Sequence, residues 1–225
     1  MTTKTGDAGD VAATKTVIWD GAIRAFHWIV AALIPLAWWT AENGHMDWHK
    51  RIGLTVLALV VFRLYWGLAG TKTARFASFV KGPKAIAAYA RGLKRPYVPA
   101  AGHSPLGALS VIALIAALVA QVSLGLFAVD VDGIESGPLS HLVSFETGRA
   151  AAEFHETSFK ILLGLIALHL AAIAFYFFAL RTNLVGAMVT GKRPGGNAVN
   201  TSGFPMLRFI IGVALAGAVV ALLQL

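Results

Sequence analysis

The chain contains seven histidines and no cysteine, so its capacity for ligand chemistry lies in imidazole. Two of the seven set a pattern. His155 and His169 stand fourteen residues apart within the largely apolar run from Glu153 to Arg181. On an α-helix that is close to four turns, which places the two rings about 40° out of register and about 21 Å apart along the axis. Two imidazoles on one face of a membrane helix, at two depths, is what two stacked haems require. Without a partner the same rings would be polar groups stranded in hydrocarbon, which is costly.

The composition says what must position them. Of 225 residues, 57% are hydrophobic and 13% charged, with a mean hydropathy of +0.69, which indicates an all-α integral membrane protein. The lack of cysteine removes disulfides, iron–sulfur clusters, thiolate ligands and covalent haem attachment together. A net charge of +8 does not point to nucleic acid, because the charges are sorted along the chain by membrane side.

Residues 1–16 are polar and read as a disordered tail, with no cleavable leader pattern, so the first span serves as an uncleaved anchor. That span starts near Val17 and runs through His27 to Trp39; the second starts at Trp48 and His49 and ends near Trp66 to Gly70, with Arg63 deep inside. Residues 71–104 form a basic connector, with an amphipathic surface helix expected around Pro83 to Gly92. The third span is Pro105 to about Val129, with Gln121 its one strongly polar interior residue, and residues 130–152 read as a long acidic loop. The fourth span is the opening run, completing a four-helix core over residues 17–181. A polar linker follows over 182–203, broken by Lys192-Arg193-Pro194-Gly195-Gly196, and residues 204–225 are long enough for a fifth span.

Charge gives the orientation. Grouping the tail to Arg24, the 71–104 connector and residues 181–208 on one side collects 14 Lys and Arg against 3 acids, whereas the loops 42–51 and 128–156 hold 3 basic residues and 8 acids. The basic side is expected to be cytoplasmic, so the N-terminus lies inside and the acidic loops lie outside a bacterial inner membrane. Depth along each span then sorts four histidines into pairs: His27 with His169 towards the inner face, His49 with His155 towards the outer. One histidine near a span end reads as an interfacial residue; four that sort by depth into couples do not. Neutral imidazole is a good iron ligand, and each ligand wants its second ring nitrogen engaged by a carbonyl or polar group.

Other residues are less decided. His45 and His141 fall in outer loops, although His45 lies four residues before His49 and competes with it as a ligand. His103 stands at the inner mouth of the third span, where Ser104 and Pro105 also read as cap and first turn. Arg63, fourteen residues after His49, reaches the inner depth; a haem propionate and snorkelling to headgroups are both open as partners. Gly53, Gly125 and Gly164 either make room for porphyrin faces or serve ordinary helix packing.

Several of these segments occur together, and in order, in a known family. Arg24-Ala25-Phe26-His27-Trp28, His49-Lys50-Arg51-Ile52-Gly53, Phe62-Arg63-Leu64-Tyr65-Trp66-Gly67, Ala74-Arg75-Phe76, Gly102-His103-Ser104-Pro105-Leu106-Gly107 and His155-Glu156 with His169 resemble the bacterial cytochrome b(561) family, which includes hydrogenase b-type cytochrome subunits. The resemblance covers roughly residues 17–193. It implies a four-helix bundle with two b haems, ligated from spans one, two and four by His27, His49, His155 and His169. His103 matches a Gly-His-Asn-Pro-Leu-Gly motif with Ser104 where the family has Asn, which implies a propionate or quinone contact. The terminal segment lies outside what the family requires.

The expected function is electron transfer between the quinone pool and a periplasmic or membrane redox partner through two bis-histidine haems. Expected partners are the lipid bilayer, quinone and a c-type cytochrome or oxidoreductase subunit, with a homodimer left open and no nucleic acid. Two alternatives stand beside it. One is the anchoring cytochrome subunit of a larger hydrogenase or dehydrogenase, with no catalysis of its own. The other is a metal or proton transporter, which would normally place carboxylates within its spans; all eleven acids fall in termini, loops or span ends.

Overall fold

The computed structural model describes residues 16–92, 104–193 and 203–224. Helix α1 (Gly21–Glu42) and helix α2 (Met46–Ala69) form an antiparallel pair joined by a tight turn in which Gly44 adopts a positive φ of 73°. The short helices α3 (Phe76–Phe79) and α4 (Pro83–Gly92) follow, then α5 (Pro105–Phe127), α6 (Phe145–Phe178), α7 (Leu184–Thr190) and α8 (Met206–Leu222). Four of these, α1, α2, α5 and α6, are long and apolar enough to cross a membrane. The chain is therefore an all-α, multi-pass membrane protein.

Local chemistry explains where the helices begin. Asp20 caps α1 by accepting the Ile23 N–H at 2.8 Å, Ser104 caps α5 through the Gly107 N–H at 3.1 Å with Pro105 in the first turn, and Ser144 caps α6 through the Thr147 N–H at 3.3 Å. The Ser144 cap corrects the expected start of the fourth span. Residues 145–152 belong to the helix, not to the acidic loop, because a capped helix continues past the hydrocarbon edge. At 34 residues α6 is about 51 Å long, well beyond a hydrocarbon core of about 30 Å.

Between α5 and α6, an isolated bridge pairs Val129 with Ser136 and a 3-10 turn spans Ser140–Leu142. The amphipathic helix expected at Pro83 to Gly92 is α4. Within the stretch expected as a linker, Leu184–Thr190 is helical, with Asn183 as its cap and Gly191 closing it at a φ of 74°. Two-residue strands β1 (Thr16–Val17) and β2 (Lys192–Arg193) pair antiparallel and tie the start of α1 to the end of α7. Thr16 therefore belongs to a strand, whereas the rest of the tail lies outside the described residues. Helix α8 has 17 residues, about 25 Å, shorter than the four long helices. It lies along α2, where Gly212 lets its backbone approach Tyr65.

α5 runs along α6, and α2 along α1, while α6 stands further from α1 and α2 and meets them mainly through side chains. The middle of the bundle is a dry layer of Val30, Ile52, Val56, Val60, Leu118 and Leu162. Its components come from all four long helices.

Candidate functional site

The four histidines of the expected pairs are all partly buried, whereas His45 and His141 are exposed. The rings of His27 on α1 and His169 on α6 have centroids 6.4 Å apart at an interplanar angle of 52°. Those of His49 on α2 and His155 on α6 are 6.1 Å apart at 85°. The couples lie on either side of the dry layer, with Leu162 seven residues from each α6 histidine. His45, the rival of His49, instead packs its ring 5.5 Å from that of Trp39.

These separations test whether the residues fit an iron porphyrin. Two imidazoles on one metal ion, each with a nitrogen about 2.0 Å from it, hold their ring centres about 6 Å apart. Both couples meet that spacing. Among the described residues no group of three or more His, Asp or Glu forms a metal cage, so the donor set is two imidazoles per site and the remaining ligands would come from a macrocycle.

The His49–His155 couple is supported in detail. The Ala37 carbonyl, in the last two turns of α1, accepts a bond from His49 Nδ1–H at 2.9 Å as well as one from the Thr40 hydroxyl at 2.8 Å. The Gln121 carbonyl of α5 likewise accepts from His155 Nδ1–H at 2.9 Å. In both rings the donor nitrogen faces a carbonyl, so Nε2 carries the lone pair, the tautomer that a metal ligand needs. Gly125 allows this close approach: a Cβ there would meet His155 Cε1 at 2.9 Å. Gly53 faces open space within a cavity of about 310 Å³ lined also by His49, Gln121, Gly125, His155 and Leu162.

The His27–His169 couple is barer. His27 Nδ1 is buried with no hydrogen-bond partner among the described residues, and Gly164, five residues before His169, also faces open space. A second cavity, about 590 Å³ between the end of α6 and α7, is lined by apolar side chains such as Ile173, Phe177 and Val185 and by none of the four histidines.

Arg63 is 3% exposed, and its guanidinium turns to the segment after α2, donating to the Ala74 carbonyl at 3.5 Å and lying 4.7 Å from the Phe76 ring centre. Beside it sits a polar cluster that hydropathy alone does not reveal. The Asp20 carboxylate accepts Trp66 Nε1–H at 3.1 Å and the Thr71 hydroxyl, in addition to the helix cap. Gln121 and Ser158, hydrogen-bonded to one another beside His155, were also not foreseen as site residues. The signal available was Gln121's isolation as a polar residue in an apolar span. His103 lies outside the described residues.

An all-α bundle whose spans turn paired imidazoles towards one another across its interior has the architecture of a membrane b-type cytochrome. The chain belongs to the prokaryotic cytochrome b561 family, whose model matches residues 18–191 and so takes in all four long helices. Membership makes it a cytochrome b of bacterial membrane electron transfer and implies a b-type haem. No curated protein and no solved structure matches the chain.

Proposed function

We propose that the chain is a dihaem cytochrome that passes electrons through the membrane between quinone and a redox partner, with one haem held by His27 and His169 and the other by His49 and His155. The observation that carries this reading is the pair of imidazole couples, 6.4 and 6.1 Å between ring centres, drawn from three helices and separated in depth. When bound, each haem, held by two imidazoles, would supply a one-electron carrier, which suits electron passage rather than oxygen binding.

The chain's own residues then do the rest. His49 and His155 are oriented by the Ala37 and Gln121 carbonyls, and the dry layer around Leu162 keeps water from joining the two sites. Arg63 and, by resemblance, His103 supply positive or polar groups for a propionate or quinone at the basic end. By the charge count that end is cytoplasmic, and with it the N-terminus. The acidic end, where the Lys50–Glu135 pair at 2.7 Å fastens the 130–139 loop to α2, faces a basic or haem-bearing partner steered by charge. Such a partner is a c-type cytochrome or an oxidoreductase subunit.

A pyridine haemochrome count on purified protein should give two b haems per chain, and the spectrum of the native reduced protein should show both to be low-spin. His155→Ala and His49→Ala should each remove one haem, and the same one. A count near zero, or loss of different haems from these two variants, would overturn the assignment. Co-purification with a soluble catalytic subunit would place the chain as the cytochrome subunit of a larger oxidoreductase.

A further inference from the structure

We propose that helix α4 is a binding site for anionic phospholipid: tyrosine hydroxyls latch it to the bundle, and Lys84 and Arg91 on its far face take the phosphate headgroups of the membrane that the bundle spans. Neither histidine couple takes part.

The latch fixes the level at which α4 lies. The hydroxyls of Tyr89 and Tyr176 share a hydrogen bond of 2.8 Å, and that of Tyr176 shares another of 3.1 Å with Ser104. Tyr176 stands two residues before the end of α6, and Ser104 is the cap of α5. Both sit where a span leaves the hydrocarbon, so α4, packed against α5, is held at headgroup depth. Tyrosine is the residue type that suits that depth.

Helical periodicity then sorts the faces of α4. At about 100° per residue, Lys84 and Arg91 project within about 20° of one another, and Ile86 and Tyr89 project to the opposite side. Burial agrees, since Ile86 and Tyr89 are half-buried whereas Lys84 and Arg91 are exposed. Positions 85, 87, 88 and 90 are alanines, too short to screen the two cations.

Charge decides what the far face takes. Residues 71–104 contain seven Lys and Arg and no acid. Among the described residues neither Lys84 nor Arg91 forms an ion pair, and Arg91 spends only its Nε–H, on the Ala87 carbonyl at 3.3 Å. Long flexible stems let both cations reach the phosphate layer from a helix lying in it. Depth favours lipid over an acidic protein, because the nearest anions at that level are headgroups. Each basic residue near an anionic surface should strengthen attachment about fivefold.

The test is hydrogen exchange of the α4 amides in purified full-length protein, placed in nanodiscs of phosphatidylcholine alone or mixed with phosphatidylglycerol. Exchange should be about five- to thirtyfold slower with phosphatidylglycerol, and raised salt should erase the difference. Lys84→Gln combined with Arg91→Gln should abolish the slowing and leave exchange in phosphatidylcholine as in the wild type. Tyr89→Phe should speed exchange in both membranes and keep their ratio, because it opens the latch and leaves the cations.

Equal exchange in the two membranes, or a ratio unmoved by salt, would overturn the proposal. A ratio kept by the double variant would overturn the assignment to Lys84 and Arg91. Glycerol phosphate or polyglutamate slowing α4 in phosphatidylcholine as much as phosphatidylglycerol does would also overturn it, in favour of a free phosphate ester or an acidic protein. Exchange unchanged by Tyr89→Phe would refute the latch. The salt measurement needs no variant, so it stays decisive if the double variant misfolds, which faster exchange in α2 would reveal.

Discussion

Gly125→Ala adds one methyl group at the place where α5 and α6 approach over the His155 ring. Its Cβ would lie 2.9 Å from His155 Cε1 and 3.2 Å from Nδ1, nearer than carbon atoms settle, so the imidazole must move. The ring can swing only by leaving the Gln121 carbonyl 2.9 Å away. That loses a hydrogen bond with a net worth of about 0.5–1.5 kcal/mol and the orientation it gives, and disturbing such a support costs about 10- to 100-fold in metal affinity. Opposing this, alanine is favoured over glycine inside a helix by about 0.5–1 kcal/mol. The helix should therefore be as stable as before or more so, while haem at the His49–His155 site is weakened and haem at the other site is kept. Gly164→Ala is the control, since nothing lies within 4 Å of its added Cβ. Haem titration of both variants, with thermal unfolding in detergent, separates the two effects. Full retention of both haems by Gly125→Ala, or loss of the His49–His155 haem by Gly164→Ala, would refute the reasoning.

Trp66→Phe should cost about 2 kcal/mol in detergent unfolding, because it removes the indole donor to the Asp20 carboxylate from a fully buried site. Arg63→Lys should lose about 1–2 kcal/mol despite keeping the charge, since an ammonium replaces neither the planar contact over Phe76 nor the fork of donors; full stability in this variant would show the stacked geometry to be dispensable. Leu162→Ala, at a site 1% exposed and midway between the α6 histidines, should cost about 2–4 kcal/mol and loosen both haems together. Selective loss of one haem from that variant would show that the layer does not serve both sites.

The four spans were legible because apolar runs of membrane length need no knowledge of tertiary structure. The start of α6 was not, because Glu146 and Arg149 make its first turns look like loop, and only the Ser144 cap marks where the helix begins. Histidine depth was equally readable: a fourteen-residue spacing on α6 fixes both height and face. The supports of those rings were hidden for a different reason. Ala37 acts on His49 and Gln121 on His155 through main-chain carbonyls, which every residue possesses, so only the polar side chain of Gln121 in an apolar span gave any sign of the site. Arg63 shows the limit for long side chains, since its height follows from spacing but its direction depends on the segment after α2 that it reaches. The pairing of β1 with β2 joins Thr16 to Arg193 across almost the whole chain, and two-residue strands carry no periodicity to detect.

The two couples differ in a way that follows from what each is packed against. His49 and His155 each meet a carbonyl of a neighbouring helix, Ala37 near the end of α1 and Gln121 on the face of α5 where Gly125 lets the ring approach, and both rings are held in one tautomer. His27 and His169 project from helices that stand apart, and His27 keeps a buried nitrogen with no partner among the described residues. A ring fixed by a carbonyl resists rotation and makes its other nitrogen a stronger donor; a ring without one is free to turn and a weaker donor. The same pair of residue types, repeated at two depths, thus yields one rigid site and one adaptable site. If the two couples hold haem as proposed, any difference in how they do so arises from α5 and the end of α1, not from the histidines themselves.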